Sequence, residues 1–207
     1  ADNKLHIIKK IAIPNHLYHP ILYIDTNRLV IVSTGISPSN NSKWGYYFNR
    51  LNKTYTIVFD TSDIKAPKLM KLYINDGDLW KTRKIWDYLY VLSTNYFNFP
   101  YQSYQWIEDI QLDAQKMLPQ SIELSRNNQS NVVMNGKKIP YDVKSGNMVD
   151  CNEIAYTLPD AETLKQYDFS PSYNIISVID IRNSDTPVKQ NVIAWSNTEI
   201  FMSTKNL

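Results

Sequence analysis

The sequence predicts an all-β protein made of repeated four-stranded units, and three observations carry that prediction. Strand-forming segments recur: residues 22–34 read as strand, turn, strand; residues 89–94 repeat the second half sixty positions on, and residues 200–207 repeat the first half. An Asp followed seven positions later by Pro occurs at Asp60/Pro67 and again at Asp180/Pro187. The composition, with 15 Tyr, six Phe and five Trp against only five Gly, suits pleated strands rather than helices. Short strands repeating at a fixed period are the signature of a radially repeating all-β architecture, a propeller or an array. The expected fold is a β-propeller fragment of four-stranded antiparallel blades, with a long insertion in the second blade.

Each element follows from its residues. Residues 4–13 alternate loosely and end at Pro14, reading as a strand that closes an earlier blade. Pro20 opens a hairpin whose Asp25-Thr26-Asn27-Arg28 segment has turn chemistry. Residues 35–50 form a loop with Pro38, Trp44, Tyr46, Tyr47 and Phe48. Tyr55-Thr56-Ile57-Val58-Phe59-Asp60 is a strong strand, 61–67 turn the chain, and 69–74 complete a blade over about 20–75. The second blade, about 81–194, has strands at 81–85, 88–94, 173–180 and 188–193.

Thr34 to Asp60 spans 26 residues and Thr94 to Asp180 spans 86, so the second blade carries an insertion of 60, within about 95–172. A connection that long needs a functional or structural reason. Its Arg126-Asn127-Asn128-Gln129-Ser130-Asn131 stretch is polar enough to be mobile. Residues 108–118, with Ile107, Ile110, Ala114 and Met117 as a partial stripe, fit a short helix. A further blade begins at about 198–207, and 1–207 reads as one propeller region.

Composition narrows the partners. Lys and Arg total 22 against 20 Asp and Glu, a net charge of +2, so no strong field selects nucleic acid or an anionic membrane. No apolar run approaches the roughly 20 residues that span a bilayer. Leu5-His6-Ile7-Ile8-Lys9-Lys10-Ile11 lacks the continuous core of a signal peptide. Cys151 is the only cysteine, so no disulfide forms within these residues. It reads as a small half-buried side chain, with a bridge to a cysteine elsewhere or a reactive thiol as the alternatives.

Several stretches resemble a known family, in its order. They are Arg83-Lys84-Ile85-Trp86-Asp87-Tyr88-Leu89-Tyr90-Val91-Leu92-Ser93-Thr94-Asn95-Tyr96, Met117-Leu118-Pro119, Lys138-Ile139-Pro140-Tyr141-Asp142, and Pro171-Ser172-Tyr173-Asn174-Ile175-Ile176-Ser177-Val178-Ile179-Asp180-Ile181. Over residues 4–207 the chain is similar to the secreted bacterial and archaeal β-propeller domain proteins of largely unassigned function. The resemblance implies an exported or cell-surface propeller that continues past Leu207, with ring closure from further sequence or another chain. It carries no catalytic signature.

The aromatic run Tyr96, Phe97, Phe99, Tyr101, Tyr104 and Trp106 is the candidate binding surface for a protein or glycan ligand. The competing reading is that these side chains pack the insertion onto the blade. No Lys or Arg interleaves them, which argues against nucleic-acid stacking. Glu108, Asp109 and Asp113 are the carboxylates a carbohydrate-acting hydrolase would use, although a solvated face explains them as well. Asn75-Asp76-Gly77-Asp78 lacks the further ligands of a calcium loop and reads as a turn. His16 and His19 lack the companions zinc requires and read as a loop pair. Asp60 and Asp180 recur as a pair, which suits strand-end caps that seed the following turns through side-chain to backbone hydrogen bonds. The expected function is a non-catalytic binding or scaffold module with no cofactor and no metal, the hydrolase being the alternative.

Overall fold

A computed structural model describes residues 7–13, 16–36, 52–96, 118–128, 133–134, 137–138, 140–156 and 172–194. The chain begins with four antiparallel strands, β1 (Leu17–Asp25), β2 (Arg28–Ile36), β3 (Asn52–Asp60) and β4 (Lys68–Asp76). The hairpin β5 (Asp78–Ile85) and β6 (Tyr88–Tyr96) follows. After it come β7 (Gln120–Arg126), the short β8 (Val133–Met134) and β9 (Lys137–Lys138), β10 (Tyr141–Asn147) and β11 (Ala155–Tyr156). The last pair is β12 (Ser172–Asp180) and β13 (Lys189–Ala194). Among the described residues the one helical turn is the 3-10 turn Cys151–Glu153.

Two large sheets result. The first has the order β1-β2-β3-β4-β7-β10, the second β11-β13-β12-β6-β5. Their common four-strand core repeats in register as well as in sequence. Arg28 faces Asp60 and Thr34 faces Thr54 in the first sheet; Tyr88 faces Asp180 and Thr94 faces Asn174 in the second. The offsets are sixty positions for β2 to β6 and a hundred and twenty for β3 to β12. Thr61 N donates to Asn27 O at 2.9 Å, and its repeat equivalent Ile181 N donates to Asp87 O at the same distance.

The insertion does not stay with the second blade. β7 pairs antiparallel with β4, and β10 pairs with β7, widening the first sheet to six strands. Among the described residues of the insertion, β11 alone returns to the second sheet, parallel to β13. The expected mobile stretch is ordered in its first three residues: Arg126 ends β7, Asn127 N donates to Pro140 O at 2.8 Å, and Asn127 Nδ2 donates to Asp142 Oδ2 at 2.6 Å. Polarity there satisfies a hairpin base instead of keeping the chain solvated.

Two further expectations change. Residues 7–13 form no strand; they cross the first sheet's outer face, where Ile11 and Ile13 pack on Ile31, Ile57 and Phe59. His19 lies in a strand rather than a loop, because β1 starts three residues before Pro20 and takes up the proline at a bulge between Tyr18 and Ile21. His16 Nε2 lies 3.1 Å from the Tyr55 hydroxyl. Residues 37–50, the helix expected at 108–118 apart from Leu118, and the blade start at 198–207 lie outside the described residues.

The core fills the space between the sheets. Val30, Val32, Val58 and Tyr73 of the first pack against Leu89, Val91, Tyr173, Ile175, Ile179 and Val192 of the second. Full burial of each aliphatic side chain contributes about 1.5–3 kcal/mol. Polar contacts stitch the same interface: Asn75 Nδ2 donates to Ser93 Oγ at 2.7 Å, and Gln190 Nε2 donates to the Tyr73 hydroxyl at 2.8 Å. Burial pushes the Tyr73 hydroxyl far above the ordinary tyrosine range, so it stays protonated. Lys71, 1% exposed, places its ammonium 2.7 Å from Glu123 and 2.6 Å from the Thr186 carbonyl.

A buried pair is costly to break and cheap to replace whole. Glu123→Gln is expected to lower unfolding free energy by about 3 kcal/mol or more, and Lys71→Met with Glu123→Leu to recover most of the loss, as read from urea unfolding. Gly77 links the two sheets with φ +99°, and a Cβ there would sit 2.6 Å from Thr94 O. Gly77→Ala is expected to destabilise by at least about 1 kcal/mol in the same assay, through backbone strain and this collision.

Candidate functional site

The repeated Asp builds the rim of the site. At the end of β3, Asp60 Oδ1 accepts from Ser62 N at 2.9 Å and from Ser62 Oγ at 2.7 Å. At the end of β12, Asp180 Oδ1 accepts from the backbone of Arg182 and Asn183, each at 2.9 Å. A second side-chain cap follows in both: Asp63 Oδ1 accepts from Lys65 N, and Asn183 Oδ1 from Asp185 N, each at 3.0 Å. Both aspartates therefore cap strand ends and seed turns, as the repeat implied.

Between these turns the added strands carry the first sheet's inner face onward and leave an open polar cleft of about 760 Å³. Three parts of the chain line it. The first blade supplies Asp60, Lys68 and Met70; the insertion supplies Ser125 to Asn128 with Asp142 and Lys144; the second blade's turn supplies Ser184 and Asp185. In register, Ser125 lies beside Lys71 on one flank and opposite Asp142 on the other, and Lys144 faces Glu123.

Two of the cleft's carboxylates already have partners. Asp60 pairs with Arg28 Nη1 at 2.9 Å, and Asp142 accepts from Asn127 at 2.6 Å. Hydrogen bonds from Ser62, then the Arg28 and Lys68 charges, hold the Asp60 carboxyl below its ordinary range. Asp25, on the same end of the sheets, is lowered by the Thr26 N–H and the Lys84 ammonium, and its Oδ2 lies 3.2 Å from Lys84. Arg182 binds both Asp25 and Asp87, which ties the β1–β2 turn to the β5–β6 turn.

The expected aromatic surface lies elsewhere. Tyr96 closes β6 at the far end of the sheets from the cleft and is 55% exposed. Phe97, Phe99, Tyr101, Tyr104 and Trp106, and the carboxylates Glu108, Asp109 and Asp113, lie outside the described residues. Cys151 is exposed on the 3-10 turn, not half-buried, because all three residues of that turn face solvent. Asn75-Asp76-Gly77-Asp78 joins two strands rather than forming a free turn, with Asn75 and Asp76 ending β4, Asp78 opening β5 and Gly77 alone as the bend between them. Asp76 accepts from Lys53 Nζ and, at 2.8 Å, from Gln120 N, which anchors the start of β7.

Sequence reasoning missed the cleft residues Arg126, Asn128, Asp142 and Lys144. A signal for their strands was present, because Ile122 and Leu124 alternate with polar residues through β7. What no local pattern disclosed was which sheet they would join.

A family model described as a beta propeller domain matches residues 1–207. No curated protein and no solved structure matches the chain.

The lowered carboxyls set an acid limit on stability. With the folded pKa values of Asp25 and Asp60 below their ordinary 3.8, the unfolded chain binds more protons in that range. Their contribution is complete near neutral pH and is lost as pH falls from about 5 through the folded values. Urea midpoints measured from pH 7 downward are expected to drop in that window, and Asp60→Asn to flatten the drop.

Proposed function

The chain belongs to the beta propeller domain family, and on that premise we propose that it is a non-catalytic binding module of an exported or cell-surface protein. The observation that carries this reading is the cleft, walled by first blade, insertion and second blade together. A long insertion that only covered a surface would not need to build a concave polar site between strands of one sheet and the turn of another.

The carboxylates of the cleft support binding over hydrolysis. A glycosidase needs one carboxyl raised to act as acid and a second placed to act as base or nucleophile. Asp60 is shifted the opposite way, and it and Asp142 are engaged by Arg28 and Asn127. The extracytoplasmic placement rests on the resemblance carried by the segments around Trp86, Pro119, Pro140 and Pro171.

A neighbouring sheet, from further sequence or from another chain, has a surface to meet. Ile31, Ile57 and Phe59 form an apolar cluster on the outer face of the first sheet. By the repeat register they are the equivalents of Val91, Ser177 and Ile179, which lie on the face the second sheet turns towards the first. The exposed Leu22 and Ile24 extend the same outer face to the edge strand.

The reading is tested by titrating the isotope-labelled chain with a panel of neutral and charged oligosaccharides and peptides, followed by amide chemical shifts and mass spectrometry. At least one compound is expected to shift the amides of residues 125–128 and 142–144 and to be recovered intact. Cleavage of the bound compound would overturn the non-catalytic reading. Shifts confined to the Tyr96 end would move the site away from the cleft.

A further inference from the structure

Resting on the binding reading above, the geometry points to an acidic oligosaccharide as the ligand of this cleft. The charges decide the sign. Lys68, Arg126 and Lys144 line the cleft, and among the described residues none of them forms an ion pair. Asp60 is neutralised by Arg28, and Glu123, the carboxylate facing Lys144 in register, is held by Lys71 at 2.7 Å. Asp142 and Asp185 also line the cleft, met by no cation within ion-pair distance among the described residues. Three cations thus stand against two carboxylates, and a surplus of one positive charge is left to meet negative charge from outside.

The remaining lining decides the chemical class. Ser125, Ser184 and Asn128 both donate and accept, while Asp142 and Asp185 accept, so each kind of hydroxyl contact has a partner. That mixture suits a chain of sugar rings bearing carboxylates, whose hydroxyls need donors and acceptors and whose charges need cations. A peptide partner gains its affinity by burying aromatic or aliphatic anchors, and among the described lining residues Met70 is the one apolar side chain. Nucleic acid would call for aromatic stacking platforms, and the described lining residues include none.

Calorimetric and amide-shift titrations of the chain with three probes test the inference. The probes are tetragalacturonate, its carboxyl-reduced neutral counterpart, and a Glu-rich peptide of the same net charge. Tetragalacturonate is expected to shift the cleft amides and to bind about tenfold or more tighter than the neutral sugar. Its affinity falls with added salt. Arg126→Gln and Lys144→Gln are each expected to weaken it by about tenfold, with urea midpoints unchanged, whereas Lys138→Gln, at an exposed residue outside the lining, leaves it unaltered. Equal binding of acidic and neutral sugars overturns the inference. So does a peptide that binds the cleft as tightly as the acidic sugar, although the binding reading then survives. Silence at the cleft with all three probes overturns the oligosaccharide assignment, while the wider panel judges the binding reading separately.

Discussion

One buried lysine holds the structure to its particular shape. An ammonium taken out of water costs several kcal/mol unless its environment returns nearly all the lost hydration. Lys71 is that group, and its compensation comes from two distant places, the Glu123 carboxylate and the Thr186 carbonyl. Glu123 requires β7 at the edge of β4; Thr186 requires the β12–β13 turn to lie over the first sheet. First blade, insertion and second blade are thereby held in one arrangement by a single charge. The neighbouring contacts agree with it, since Gln190 reaches both Tyr73 and Ser121 of the first sheet.

The cleft follows from the same constraint. Once β7 and β10 extend the first sheet, its inner face runs past the second sheet's turn and leaves a recess with rigid strands for a floor. The repeated Asp turns then serve two ends. The first keeps Asp60 occupied with Arg28 and Ser62, and the second projects Ser184 and Asp185 as a wall. Repetition supplies the framework, and the departure from repetition supplies the recess.

Where the sequence repeats, the fold was legible. The four-strand core of each sheet could be read because apolar alternation, turn chemistry and the Asp-to-Pro spacing recur, and register follows when turns recur. The insertion resisted for a physical reason. Its strands alternate visibly, but the meaning of Glu123 depends on Lys71, fifty-two positions earlier, and a Lys in a strand looks like any solvated residue until its neighbour is known. Polarity misled at Arg126 to Asn128, where the amides close a hairpin base. The aromatic run drew notice as the chain's chemical anomaly, yet its one described member, Tyr96, lies at the far end from the cleft.

The path of the insertion also bears on how such a chain is synthesised and inherited. Among the described residues, the chain leaves the second sheet after β6, adds two strands to the first, and returns at β11. The first sheet therefore stays incomplete on the ribosome until Asn147 has emerged, by which point half of the second sheet's core is already made. Neither blade can be duplicated, deleted or exchanged as a cassette without stranding part of the other. Repeat proteins ordinarily evolve by gaining and losing whole units whose contacts reach only their neighbours. Here the two units are laced together, so selection acts on the pair as one heritable block.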